Sequence, residues 1–427
     1  MKVLVVGAGG REHALSWKIS QSTLVTSVFV APGNGGTELE DHLTNVDIQA
    51  DDIEGLASFA LEQGIDLTIV GPEDPLVNGI TDRFNDLGLK CFGPSKGAAQ
   101  LEGSKEFMKD FLQRHHIPTA EYSSFSDTER AIEYVEQKGC PIVIKADGLA
   151  AGKGVTIAHT VEEAKEAIYQ SLESEVFGEA GKKIVIEEFL DGEEASFIVM
   201  TDGTNVIPFA SSQDHKALED NDKGPNTGGM GAYSPAPIVD EYVHEKIMNE
   251  IIFPTLKGLR KDGYKYCGFL YAGMMIDKNK KLKVLEFNCR FGDPETQPIM
   301  MRLKSDLASL CDQACDDNLI EQPLEWDSRK AIGVVLAARG YPHGYAKGKD
   351  ITNIPLEKDD LKIFHAGTKI ESNSLKSNGG RVLCVTTLGD SVESAQNKAY
   401  DAISEILWED AFYRKDIGYR AIARERK

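Results

Sequence analysis

The sequence predicts an α/β protein that opens on a parallel sheet, continues through a β-rich centre and closes on a small α+β tail. Three observations predict this. They are a strand, glycine turn, helix and strand at the N-terminus, a half-buried central strand carrying a row of polar residues, and three strands with one helix at the C-terminal end. With 427 residues, length favours about three domains, and 41% hydrophobic residues suffice for ordinary packed cores.

Residues 3–6 read as a buried strand, Gly7-Ala8-Gly9-Gly10 as a tight turn, 11–20 as a helix and 27–31 as a second strand. Such a βαβ opening aims backbone N–H groups and a helix N-terminus at one spot, which suits a phosphate; a turn without ligand is the alternative. The opening looks like a dinucleotide fingerprint but departs from it twice. Glu12 stands where the third glycine belongs, and Ala31-Pro32-Gly33-Asn34 holds no acid for a ribose hydroxyl, so a nicotinamide cofactor is disfavoured. A third strand, 67–70, runs into Gly71-Pro72-Glu73-Asp74-Pro75. Loops after the carboxyl ends of parallel strands gather ligands, so Gly9, Gly10, Asn34 and Glu73 are expected around one crevice.

The parallel pattern stops near Phe92-Gly93-Pro94, and Gly103-Ser104 leads into an amphipathic helix with Phe107, Met108, Phe111 and Leu112 on one face. The domains expected are therefore 1–102, 103–325 and 326–427. In the central region, 141–145 form a strand ending on Lys145, a charge costly to bury without an anion. The strand feeds the glycine-rich loop 146–155, which is not a Walker loop, because Asp147 holds the first glycine position and Gly154 the hydroxyl position. The loop reads as a phosphate cover of another kind. Residues 183–194 form a buried strand that breaks into an acidic turn, where a base can hydrogen-bond the backbone and a carboxylate can accept ribose hydroxyls; a merely solvated glutamate cluster is the alternative.

Residues 284–295 alternate like a half-buried strand, with Leu285, Phe287, Cys289 and Phe291 on one face and Glu286, Asn288 and Arg290 on the other. Two hard oxygen donors suit Mg²⁺, which takes one or two protein ligands plus substrate phosphates, and an arginine one step on can fork onto a phosphoryl oxygen. A solvated edge strand is the alternative. The tail carries strands at 331–338, 362–370 and 381–388 and a helix over 392–407.

The formal charge of -21 argues against a surface built for nucleic acid or anionic membrane, so small-molecule partners are expected. Seven cysteines without a Cys-x-x-Cys pair suggest reduced thiols, and no apolar run approaches the ~20 residues of a membrane span, so a cytoplasmic protein is expected.

Taken together, the central segments resemble the ATP-grasp superfamily, in which two β-rich subdomains close on ATP. Lys105, Lys145, Glu187, Glu194, Glu286 and Asn288 fall in the order and near the spacings of its nucleotide and metal positions. Across nearly the whole length, the chain is similar to the phosphoribosylamine-glycine ligase (glycinamide ribonucleotide synthetase) family. The resemblance rests on 9–14, 31–34, 70–73, 145–155, 224–233 and 286–295.

It implies a Rossmann-like N-terminal parallel-sheet domain, a central two-subdomain ATP-grasp fold with a lid at about 122–190, and the small α+β tail. It further implies an ADP-forming ligase of purine biosynthesis that activates glycine as an acyl phosphate for attack by 5-phosphoribosylamine. ATP would meet Lys105, Lys145, Gly148, Gly152, Lys153, Gly154, Glu187, Glu188, Leu190 and Glu194. Mg²⁺ or Mn²⁺ would sit on Glu286 and Asn288. The substrates would meet Gly9, Gly10, Asn34, Glu73, Asp214, Gly228, Gly229 and Arg290, with Arg290, Asp214 and Lys145 catalytic, in a monomer.

One departure from the superfamily is that the strand before the metal strand has no carboxylate until Asp277, which implies more phosphate and water around the ion. The rival readings are a related carboxylase or formyl-transferring ligase, a nucleotide-sensing module without turnover, and a nicotinamide oxidoreductase.

Overall fold

The computed structural model describes residues 1–149, 154–174 and 178–426 and shows a mixed α/β architecture. The first sheet is parallel throughout, ordered Leu43–Asn45, Ser27–Pro32, Lys2–Gly7, Leu67–Val70, Cys91–Phe92. Chain order reverses on the two sides of Lys2–Gly7, so the turns after Gly7, Pro32 and Val70 open onto a shared end of the sheet.

Two antiparallel sheets follow. Tyr122–Phe125, Ile184–Glu188, Ile142–Ala146 and Val155–Ala158 form one, backed by the helices Thr128–Lys138 and Val161–Leu172. Its core, including Ile142, Ile144, Ile168 and Ile186, is its own. Val206–Pro208, Glu193–Thr201, Gly268–Ile276 and Leu282–Asn288 form the other, packed on the helix Lys105–Arg114 and on helical segments between 241 and 261. The first sheet, by contrast, shares a core with this second one and with the tail, through Phe92, Phe209, Phe269, Phe291 and Phe364.

The tail's main sheet reaches back into the centre. Its order is Gln213–Asp214, Gly231–Ser234, Lys330–Ala338, Arg381–Gly389, Leu361–His365, with Ala411–Phe412 beside Lys330–Ala338. The single strand expected over 362–370 is two strands, Leu361–His365 and Thr368–Glu371. The break falls at Gly367, whose backbone packs so closely on Gly379 that an added Cβ would lie 2.4 Å from the Gly379 Cα. The last long helix ends at Glu405 instead of 407, because Ile406 turns extended and Leu407 bridges Thr352.

The metal strand departs from simple alternation. Glu286 pairs with Gly273 and Val284 with Met274, so Leu285 is an extra, bulged residue. Burial therefore switches parity, from Leu282 and Val284 to Phe287, Cys289 and Phe291, and Leu285 does not share the face of Phe287. The strand ends at Asn288, and Arg290 stands just beyond it.

The first helix meets the tail through a buried polar contact. His13 Nδ1 accepts the His365 N–H at 2.9 Å, His13 Nε2 lies 3.2 Å from Glu40 Oε1, and Glu40 pairs with Lys362. Burial, aided by the nearby His13 and Lys362, holds the His365 imidazole down at about 3; burial and Arg414 hold His215 at about 4. Both are neutral in the fold, whereas the unfolded chain protonates them near 6.5. Stability should thus fall as pH drops through 6.5, by about 2 kcal/mol per histidine at pH 5. Glu40 works at lower pH. Despite burial, His13 and Lys362 hold its carboxyl near 2, so its stabilising share is present above about 4.5 and is lost towards pH 2. Thermal melts from pH 8 to pH 4 check the histidine part; a flat profile between pH 7 and pH 5 would contradict it.

Candidate active site

A crevice of about 530 Å³ lies where the two antiparallel sheets, the turns of the parallel sheet and the tail converge. Its first corner is cationic. Ser104 caps the helix that starts at Lys105 and also donates to Asp147, while Lys105 Nζ donates to the Gly148 carbonyl at 3.0 Å. Lys145 is 8% exposed, its ammonium 2.8 Å from Glu187 Oε1 and 3.2 Å from the Leu285 carbonyl. Lys109, one turn after Lys105, reaches the other Glu187 oxygen at 2.8 Å. Burial lowers Lys109 to about 8 against the pull of Glu187. Burial raises the Glu187 carboxyl, but the two lysines outweigh it and keep the carboxyl below its ordinary value. Beside this corner, Val143, Val155, Ile157, Phe189 and Leu190 line an apolar mouth. Glu188 is exposed and tied to Lys283.

The metal strand forms the floor. Lys216 first, then Lys145 and Lys105, hold Glu286 ionised down to about 2 against burial. Lys216 bridges Glu194 and Glu286, lying 3.0 Å from Glu286 Oε1. Asn288 lines the same crevice. Asp214 and Glu295 line the same crevice; burial pushes both carboxyls up, and the charge of Glu295 adds to the rise at Asp214. Glu295 accepts from Ser196 at 2.8 Å, whose hydroxyl lies 3.0 Å from that of Tyr271.

The third corner belongs to the parallel sheet. Arg290 contacts Glu102 at 2.8 Å, Glu73 at 3.2 Å and the Phe291 carbonyl at 3.1 Å, and Arg11 approaches Glu73 at 3.8 Å. Burial raises Glu73, but Arg290 and Arg11 outweigh it and hold the carboxyl near 2. Glu102 is buried more completely and is pushed up to about 7 despite Arg290.

The structure thus brings Lys105, Lys145, Gly154, Glu187, Glu188, Leu190, Glu194, Glu73, Asp214, Gly228, Glu286, Asn288 and Arg290 to one crevice. Gly148 joins through its carbonyl on Lys105, whereas Gly152 and Lys153 lie outside the described residues.

The glycine turn is built differently from the open phosphate cradle expected. The Gly9 N–H donates to Glu12 Oε2 at 2.6 Å, and a Cβ on Gly10 would meet Gln297 at 2.6 Å. Asn34 accepts from Gly36 and Thr37 and donates to the Ala8 and His365 carbonyls, so its side chain braces the turn. The glycine-rich stretch is also engaged within the chain: the Gly228 N–H donates to Tyr341 Oη and the Gly229 N–H to Thr227 Oγ1. Gly229, at φ +111°, lets Pro294 approach to where a Cβ would stand 2.4 Å away.

Sequence reasoning missed Lys109, Lys216, Glu102, Arg11, Glu295 and Arg381. Lys109 was signalled by its i+4 spacing from Lys105. Arg11 and Glu295 lie within quoted motifs and Lys216 two residues after Asp214, whereas Arg381 had no signal. It donates to the Gly228 and Asp293 carbonyls at 2.6 and 2.7 Å from a strand far along the chain.

Comparison with known proteins gives a consistent set of matches. Profiles of the phosphoribosylglycinamide synthetase N domain, ATP-grasp (A) domain and C domain match residues 1–102, 103–296 and 331–420. A protein of Escherichia coli (strain K12) called phosphoribosylamine–glycine ligase is 61% identical over 427 residues, covering all of both chains. One of the same name from Vibrio vulnificus (strain CMCP6) is 60% identical over 428 residues, again covering all of both. The crystal structure of a Thermotoga maritima phosphoribosylamine–glycine ligase superposes with a TM-score of 0.85 at 34% identity, covering 98% of this chain and 100% of that one. The biotin carboxylase domain of Hydrogenobacter thermophilus 2-oxoglutarate carboxylase shares the fold, with a TM-score of 0.74 at 17% identity, over 96% of this chain and 91% of that one.

Proposed function

Because the chain belongs to the phosphoribosylglycinamide synthetase family, we propose that it joins glycine to 5-phosphoribosylamine in de novo purine biosynthesis, forming glycinamide ribonucleotide, ADP and phosphate. The observation that carries the reading is the row of ionised Glu286, Asn288 and Arg290 facing Lys105 and Lys145 across one crevice. Such a surface serves phosphoryl transfer, in which the protein mainly positions reactants and neutralises phosphate charge.

Glu286 and Asn288 offer hard oxygen donors, and among the described residues no group of three or more His, Cys, Asp or Glu could hold a metal alone. That sparse set fits Mg²⁺ or Mn²⁺, which keep phosphate and water ligands. When bound, the ion supplies charge neutralisation at the phosphates.

Lys105 and Lys145 hold phosphate oxygens, and the apolar mouth at Val155, Ile157, Phe189 and Leu190 takes the base, with Glu194 near the ribose. Glu187 acts through the lysines it pairs with. Glycine lies with its carboxylate towards Arg290 and its ammonium towards Asp214 and Glu295, whose raised carboxyls ionise beside a cation. A carboxylate oxygen attacks the γ-phosphorus and ADP leaves. The amine of phosphoribosylamine, placed by Glu73 and Arg11, then attacks the acyl carbon, and phosphate leaves with that oxygen, taking up the proton that the nitrogen sheds. Gly9, Gly10, Asn34, Gly228 and Gly229 shape this substrate side. Among the described residues no helix is long and apolar enough to cross a membrane, and we place the enzyme in the cytoplasm as a monomer.

Isotope position tests the order of chemistry. Glycine carrying heavy oxygen in its carboxylate should deliver one labelled atom per turnover to inorganic phosphate. AMP as product, or phosphate labelled only from solvent, would exclude the acyl phosphate and the role of Arg290.

A further inference from the structure

Lys216 was not anticipated from the sequence, yet it lines the crevice and its ammonium sits on Glu286 of the floor. Its backbone is fixed: the Lys216 carbonyl accepts from the Thr227 N–H at 2.8 Å and the Thr227 hydroxyl at 2.9 Å. Its side chain is half-buried and spans two strands, pairing with Glu194 on one and, at 3.0 Å, with Glu286 on the other. Glu286 is the one carboxylate in the proposed metal pair, so a divalent ion arriving there competes with a cation already on its ligand. Nucleotide phosphates change that balance, because they offer the Lys216 ammonium another anion at the same floor.

We propose that Lys216 is a resident counter-ion that keeps a bare divalent ion off Glu286 and yields the carboxylate when nucleotide phosphates draw the ammonium away. Metal and nucleotide then enter with positive coupling, each raising the affinity of the other by the same factor. The inference rests on the proposed metal role of Glu286.

The test uses the full-length protein and Mn²⁺, followed by electron paramagnetic resonance with and without β,γ-methylene ATP. Lys216→Met should bind bare Mn²⁺ roughly tenfold more tightly than the native protein, and the nucleotide's enhancement of Mn²⁺ binding should shrink by a similar factor. Glu194→Gln, which leaves the ammonium to Glu286 alone, should weaken bare Mn²⁺ binding and keeps the test open if Lys216→Met folds poorly. Unchanged or weaker bare-ion binding in folded Lys216→Met, or tighter binding in Glu194→Gln, overturns the inference. Glu286→Gln separates the two levels. If it leaves Mn²⁺ binding with nucleotide intact, the metal role itself fails; if it abolishes that binding while Lys216→Met shows no gain, only the Lys216 inference fails.

Discussion

Replacing Glu286 by Gln together with Asn288 by Leu is expected to abolish turnover and leave the fold standing. The Glu286 side chain is 36% exposed, its partner Lys216 keeps Glu194, and the strand's packing comes from Val284 and Phe287 on the opposite side. Loss of the Glu286–Lys216 pair should therefore cost no more than about 1 kcal/mol, the range of accessible ion pairs. Loss of both oxygen donors removes the proposed anchor of the ion that neutralises the phosphates, an effect of several kcal/mol on the reaction barrier. Steady-state ADP release and a thermal melt decide the matter together. A variant that melts far below the native protein, or retains near-native activity in Mg²⁺, would show the polar row to be structural.

Lys145→Met should lower turnover by at least ~10²-fold, the effect of losing one preorganised charge-stabilising group. Here the structure adds a stability cost. Glu187 is 2% exposed and would retain Lys109 alone, and weakening a buried charge's partnership costs on the order of 1–3 kcal/mol. Titration with MgATP well below the melting temperature separates the two effects. A lower melting point with unchanged ATP affinity and rate would assign Lys145 to holding Glu187; weakened ATP binding with phosphoribosylamine binding preserved would support the phosphate role.

The parallel opening, the strand ending on Lys145 and the polar row at Glu286, Asn288 and Arg290 were legible because each depends on neighbours within a few residues. Side-chain period, turn chemistry and the cost of burying a lone charge are local properties, written in consecutive letters. The bulge at Leu285 was not legible, since alternation looks unbroken until Gly273 and Met274 on the partner strand set the register. Nor were the ties of Lys216 to Glu194 and Glu286, of Arg381 to Gly228 and Asp293, or of Glu12 to the glycine turn that looked open for a phosphate. Thus the sequence by itself determined which chemical groups this protein carries and the strands and turns that carry them. The tertiary structure alone decided which groups already hold one another, because ion pairs and sheet register join residues up to hundreds of positions apart and follow from distance in space, which no local pattern encodes.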